Sequence, residues 1–254
     1  MSTLRTLAPW LLAALLLGLA LALPPVAQPL QYHDFADQRA CFILSNCLDT
    51  VSNGLFILAG VIGLLFLRGG TARRAFINQH EAIFYKLFFA AVVLIGFASG
   101  YYHLAPDHVG LAWDRAAIAV AFMAWFAAIL AERISLATAF LMLPLLLVAA
   151  LGGIGWWYWS ETQGAGDLRF YALVQVVPIL LIPLLLWLYP PRYSKGWHIL
   201  LVIGLYLLAL LFDYTDRQVF ALTGGFVSGH TLKHVVAALA AYGVMRYLQQ
   251  RRPW

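Results

Sequence analysis

The stretch AIFYKLFFAAVVLIGFASGYYHLAPDHVGLAWDRAAIAVAFMAWFAAILA, residues 82–131, decides the fold. It reads as two apolar segments, near 82–101 and 113–131, joined by a short connection that contains Pro106. Each is close to the roughly 20 residues that a helix needs to cross a bilayer. Similar segments run near 7–23, 50–67, 135–158, 170–189, 197–213 and 229–246, which makes eight candidate helices. Composition agrees: 63% of the residues are hydrophobic and 11% are charged, and mean hydropathy is +0.82. The expectation is an all-α, polytopic membrane helix bundle whose spans leave little of the 254 residues for a separate soluble domain. Pro144, Pro178 and Pro183 fall inside segments and read as kinks.

The first segment carries Arg5, then an apolar run that ends at Pro24 and Pro25. Such a run suits either a signal peptide or an anchor; no convincing small-residue cleavage site follows, so residues 1–28 read as an N-terminal membrane anchor or uncleaved signal-like helix and 29–254 as the main membrane domain. The net charge of +5 comes from basic residues scattered between apolar runs. Nothing resembles a nucleic-acid module, and no nucleic-acid partner is expected.

Eight spans put both termini and the loops after the second, fourth and sixth segments on one side. That side holds Arg5, Arg68, Arg73, Arg74, Lys86, Arg133, Arg192, Lys195, Arg246, Arg251 and Arg252. The other holds Arg39, Arg115, Arg169, Arg217 and Lys233, together with most of the acids. By the positive-inside rule the first side is cytoplasmic.

Three histidines and an aspartate then fall at one depth, on the non-cytoplasmic edge: His103, Asp114, His230 and His234. Ionisable groups at the border of membrane spans are costly, so several on one side read as a functional site. In HTLKH (230–234) the two histidines stand four apart and share a helix face, and Ser99 and His103 do the same. Three histidines with an open fourth position suit catalytic zinc, which lowers the pKa of bound water to about 7. In this reading Asp114 accepts the proton of the attacking water, and Ser99 donates to the developing oxyanion. Each residue also has a plainer reading. A histidine pair four apart arises by chance, Asp114 can sit near a helix N-terminus for electrostatic reasons, and Ser99 can be a small packing residue.

The strings ASGYYHLAPDHVGLAWDRAAIAVAF (98–122) and VSGHTLKHVVAALAAY (227–242) resemble the alkaline ceramidases, in particular bacterial ceramidase-domain membrane proteins. The wider group of seven-helix membrane hydrolases includes the adiponectin receptors. Its shared pattern is a serine four residues before a histidine, an aspartate on the following helix, and a paired HxxxH on the last. The resemblance extends to FADQRACFILSNCLDTVSNGLF (35–56) and covers most of residues 30–247. It implies a seven-helix ceramidase-like core plus one N-terminal transmembrane helix, with zinc held by His103, His230 and His234. Ser99 and Asp114 take the catalytic positions. It also implies hydrolysis of the N-acyl amide of ceramide or a related membrane lipid, in a bacterial inner membrane, with the site toward the non-cytoplasmic side. Nothing in the sequence points to a particular protein partner.

Animal alkaline ceramidases carry a calcium site just before the first core helix. Here Asp34, Asp37, Asn46 and Asp49 stand in that stretch without the same pattern of acids. Calcium takes about six or more oxygen ligands, so solvated acids are the stronger expectation. Cys41 and Cys47, six apart, would lie on different faces of a helix and are expected as unpaired thiols. His33, His80, His108 and His198 receive no catalytic role, and Tyr101, Tyr102 and Trp113 read as an interfacial aromatic belt. Two other functions use the same residues: a lipid-sensing receptor with a structural zinc site, and a proton-coupled transporter using the histidines as a relay.

Overall fold

Three of the long helices begin where a short polar side chain meets an unpaired backbone N–H. Asp107 accepts from Gly110 N–H at 2.6 Å, Ser135 from Thr138 N–H at 3.0 Å, and Ser228 from Thr231 N–H at 2.9 Å. Such caps contribute about 1 kcal/mol each. The cap at Asp107 explains why its helix starts ahead of the apolar segment that announces it.

The computed structural model describes residues 3–254. It is 78% helical, with no β-strand among those residues, and so is an all-α polytopic bundle. The helices are α1 (Thr3–Ala22), α2 (Cys47–Ser52), α3 (Gly54–Arg68), α4 (Ala82–Leu104) and α5 (His108–Arg133), followed by α6 (Leu136–Thr162), α7 (Arg169–Leu188), α8 (Trp197–Tyr214), α9 (Asp216–Leu222) and α10 (Gly229–Gln250). Seven spans are long and apolar enough to cross a membrane, with α2 and α3 acting as one from Cys47 to Arg68. The chain is a multi-pass membrane protein. The eighth expected segment is present as α10, but His230, Lys233, His234 and Arg246 make it less apolar, and it packs against α8 and α3.

Helix α5 is the axis. Its run of alanines, among them Ala117, Ala121, Ala124, Ala127 and Ala128, is buried against α4, α6 and α7. Without a hydrophobic difference between lipid and protein interior, close backbone approach is what holds membrane helices together, and small residues permit it. Gly96 of α4 does the same toward α3, where a Cβ would come within 2.4 Å of Ile57 and 2.9 Å of the Asn53 carbonyl. Helix α1 packs along α7. The helices α6 and α7 run on through Pro144, Pro178 and Pro183.

One expectation is overturned. Cys41 and Cys47 form a disulfide, with Cα atoms 5.5 Å apart. The spacing argument assumed a helix, but the chain turns here: Cys41 and Leu44 exchange backbone hydrogen bonds, and Phe42 and Asn46 adopt left-handed conformations. A turn brings together positions that a helix would hold apart.

Candidate metal centre

Two helices deliver the histidines to one end of the bundle: His103 from the last turn of α4, and His230 and His234 from the first turns of α10. All three are buried, and one ligand atom from each lies within 4.8 Å of the others. Helix α10 reaches this position through Gly229. A Cβ there would stand 2.3 Å from the Phe212 carbonyl and 2.7 Å from Asp216 Cα, so only glycine lets the helix start against the α8–α9 corner. His230 N–H then donates to Asp216 Oδ1 at 2.8 Å.

The ring nitrogens divide into an inner and an outer set. His103 Nε2 and His230 Nε2 face each other at 3.3 Å. Two nitrogens bound to one tetrahedral zinc, each about 2.05 Å from it, stand about 3.3 Å apart, so the pair fits the edge of such a site. On the outside, His230 Nδ1 meets Asp213 Oδ1 at 2.9 Å, and His234 Nδ1 meets Ser52 Oγ at 2.8 Å. Outer partners of this kind fix the ring and leave Nε2 free for a metal. His103 Nδ1 is buried without a partner. The donor set thus fits a metal ion, and the cluster is the only such group found among the described residues.

The surroundings are firmly held. Asp49 of α2, fully buried, accepts from Ser228 Oγ at 3.0 Å and Thr231 Oγ1 at 2.5 Å, pinning the start of α10. Asn46 donates to the His103 carbonyl at 2.9 Å. Phe35, from the segment before α2, lies over the cluster, its ring 4.6 Å from His103 and 4.7 Å from His230.

A cavity of about 300 Å³ begins at this cluster. Its charged lining, Asp114, Arg115, Asp213 and Lys233, gathers at the histidine end with Ser99 and His234, and Gln175 and Tyr206 add a hydrogen-bonded polar pair further along. From there it runs between α4, α5, α7, α8 and α10 past side chains that include Phe88, Trp125 and Val202. Asp114 to Trp125 is eleven residues of α5, or about 16 Å along the helix. Ser99 and Asp114 interact with each other, so the two residues assigned catalytic roles do share one wall.

Several other expectations meet different fates. The four oxygen-bearing residues considered for calcium have separate partners: Asp34 with Arg217, Asp37 with Arg39, Asn46 with His103, and Asp49 with Ser228 and Thr231. His108 Nδ1 lies 3.1 Å from His33 Nε2, outside the cluster. Tyr101 and Trp113 are exposed as a belt requires, but Tyr102 is buried, with its hydroxyl 2.9 Å from His33 Nδ1. Sequence reasoning missed Ser52, Asp213 and Lys233. Lys233 Nζ pairs with Asp213 Oδ1 at 3.0 Å, and a lysine between two histidines on a membrane helix was itself a signal.

No family model, curated protein or solved structure matches this chain.

Proposed function

We propose that this protein is a zinc-dependent integral-membrane amidase that hydrolyses the N-acyl amide of ceramide or a related lipid to a sphingoid base and a fatty acid. The observation that carries the reading is a buried three-histidine cluster whose His234 lines a long, mostly apolar cavity, with the Asp114 carboxylate in the same lining. The apolar part suits an extended acyl chain, and its far end would lie near the bilayer midplane. Zinc bound by the three histidines supplies Lewis acidity and a water of lowered pKa. Asp114 accepts the proton of the attacking water as the new C–O bond forms, then returns it to the departing nitrogen as the C–N bond breaks. Ser99, on the same wall, hydrogen-bonds to the oxyanion. Phe35 limits the access of bulk water.

A structural zinc site takes four protein ligands, whereas this cluster offers three histidines, which favours hydrolysis over the receptor reading. The distribution of basic residues supports an inner-membrane orientation with the histidine end away from the cytoplasm. A single labelling site, Leu104→Cys with Cys41 and Cys47 left paired, should react with an impermeant reagent in intact cells.

The test of the activity is direct. Purified protein is stripped with a chelator, reloaded with zinc and incubated with N-acyl lipids, and released fatty acid is measured by mass spectrometry. Release that returns with zinc supports the reading. Equal release from stripped and reloaded protein, or none from zinc-loaded protein, refutes it.

A further inference from the structure

Arg115 is a buried arginine without a counterion. Only 5% exposed, it lines the cavity one residue after Asp114. Its guanidinium lies 4.2 Å from the centre of the Trp157 ring, 4.6 Å from that of Tyr171 and 5.6 Å from that of Tyr32. Nη2 donates to the neutral Gln28 Oε1, and Nη1 has no partner. Among the described residues it forms no ion pair.

The nearby acids have other duties. Glu161, which braces the aromatic cage, accepts at Oε1 from Gln28 N–H at 2.5 Å and from the Trp157 indole at 3.0 Å. Asp213 bridges Lys233 and His230. Asp114 adjoins Arg115 in sequence, but consecutive helix residues do not face each other. Around the cavity head Lys233 and Asp213 cancel, Asp114 and Glu161 stand against Arg115, and a divalent ion on the histidines would make the sum positive. An uncompensated cation in a dry site is strongly unfavourable, and an anionic ligand would relieve it.

We infer that Arg115 binds an oxyanion, a carboxylate or phosphate or sulfonate, borne by the head group of the N-acyl lipid on the amine side of its amide. This rests on the amidase reading and narrows its substrate: with the acyl chain in the apolar cavity and the amide at the histidines, the other substituent meets Arg115. The fork of N–H donors on a guanidinium suits a two-oxygen anion, and the aromatic cage keeps it in one orientation. Neutral head groups would leave Nη1 unpaired.

The experiment uses zinc-loaded full-length protein and two matched substrates of one chain length, an N-acylglycine and the N-acylethanolamine, which differ in carboxylate against hydroxymethyl. The expected kcat/KM favours the carboxylate by roughly 10- to 100-fold, the range for a hydrogen bond to a charged group. Arg115→Gln should bring that ratio close to unity, and Arg115→Lys should keep part of it, with thermal melts confirming that both variants fold. A neutral substrate cleaved as well as the anionic one, or an Arg115→Gln protein that keeps the preference, overturns the inference. If neither amide is cleaved, the amidase reading fails by itself, and anion binding is judged by melting temperature. Palmitate should then stabilise wild-type protein more than hexadecanol does, and Arg115→Gln should abolish the difference. No such difference overturns the site. The same stabilisation by millimolar inorganic phosphate alone overturns its assignment to a lipid head group.

Discussion

Two buried arginines stand at opposite ends of the bundle in similar aromatic cages. Arg251 lies among Phe76, Tyr85, Tyr193 and Tyr247, as Arg115 lies among Trp157, Tyr171 and Tyr32. Arg251, however, has counterions: Glu132 Oε2 is 3.1 Å from Nη1 and Glu81 Oε2 is 3.9 Å from Nη2, and the Ala75 carbonyl accepts from Nε at 2.8 Å. It locks the C-terminus to the loop before α4 and to the end of α5. Arg115 has a neutral amide and an open donor. One end of the molecule sets its buried arginine against carboxylates and serves the fold. The other leaves a guanidinium, a histidine cluster and a carboxylate incompletely satisfied around a cavity, which is what a site that completes itself with ligands looks like.

The largest effects should come from breaking the histidine end. His230→Ala removes a ligand and its link to Asp213, and metal content measured by elemental analysis should fall sharply, with amide hydrolysis lost. Asp114→Asn keeps the shape and the metal but cannot accept a proton at neutral pH, so turnover should drop about 100- to 10,000-fold. Full turnover in a zinc-replete Asp114→Asn protein would remove Asp114 from the chemistry. Neither change should resemble an effect at the other end.

The contrast sharpens at Arg251. Arg251→Met takes the Nη1 cation from buried Glu132, which keeps Arg133 Nε at 3.4 Å, and also takes the cation from Glu81; removing one partner of a buried pair destabilises by about 3–5 kcal/mol. Denaturant melts in detergent should show that loss, while the metal content of the protein still folded stays at the wild-type level. A metal deficit in folded Arg251→Met protein would mean that the two ends are coupled.

Ser52→Ala tests a smaller effect at the histidine end. It removes the hydroxyl that holds His234 Nδ1 at 2.8 Å. Loss of an outer partner typically lowers metal affinity about 10- to 100-fold. Zinc competition with a chelator would measure this, and unchanged affinity would show that packing alone orients the ring.

What could be read in advance follows a physical division. Eight apolar segments and the spacing of Ser99, His103, Asp114, His230 and His234 are local properties of the chain, since helix periodicity and bilayer thickness translate directly into sequence. Ser52, Asp213 and Arg115 acquire their roles from helices far away in sequence, so no local pattern marks them. Arg115 entered the orientation argument only as a charge on the non-cytoplasmic side, because a span's charge balance says nothing about which face it occupies. The Cys41–Cys47 bridge escaped for the opposite reason: a local rule was applied to a segment that is not helical, where two left-handed residues reverse the chain.

The smallest effect concerns the segment that covers the histidine end. His33, just before Phe35, is held by Tyr102 and His108 at 2.9 and 3.1 Å, and Asp107 and Arg115 also face it. Partial burial, with the neighbouring His108, holds its pKa below the usual imidazole value of about 6.5. The folded protein therefore binds fewer protons at this residue than the unfolded chain between the two pKa values. The neutral ring's contribution to stability is fully present above about pH 6.5 and declines as pH falls through that window. Melting temperatures across pH 8 to 5 should drop more for wild-type protein than for His33→Gln, which keeps hydrogen-bonding groups but does not titrate. Because the covering segment rests on the histidine cluster through Phe35, the proposed hydrolysis should weaken over the same range. Identical pH profiles for the two proteins would show that the His33–His108 contact is indifferent to protonation, and would confine the sensitivity of this end to the metal cluster itself.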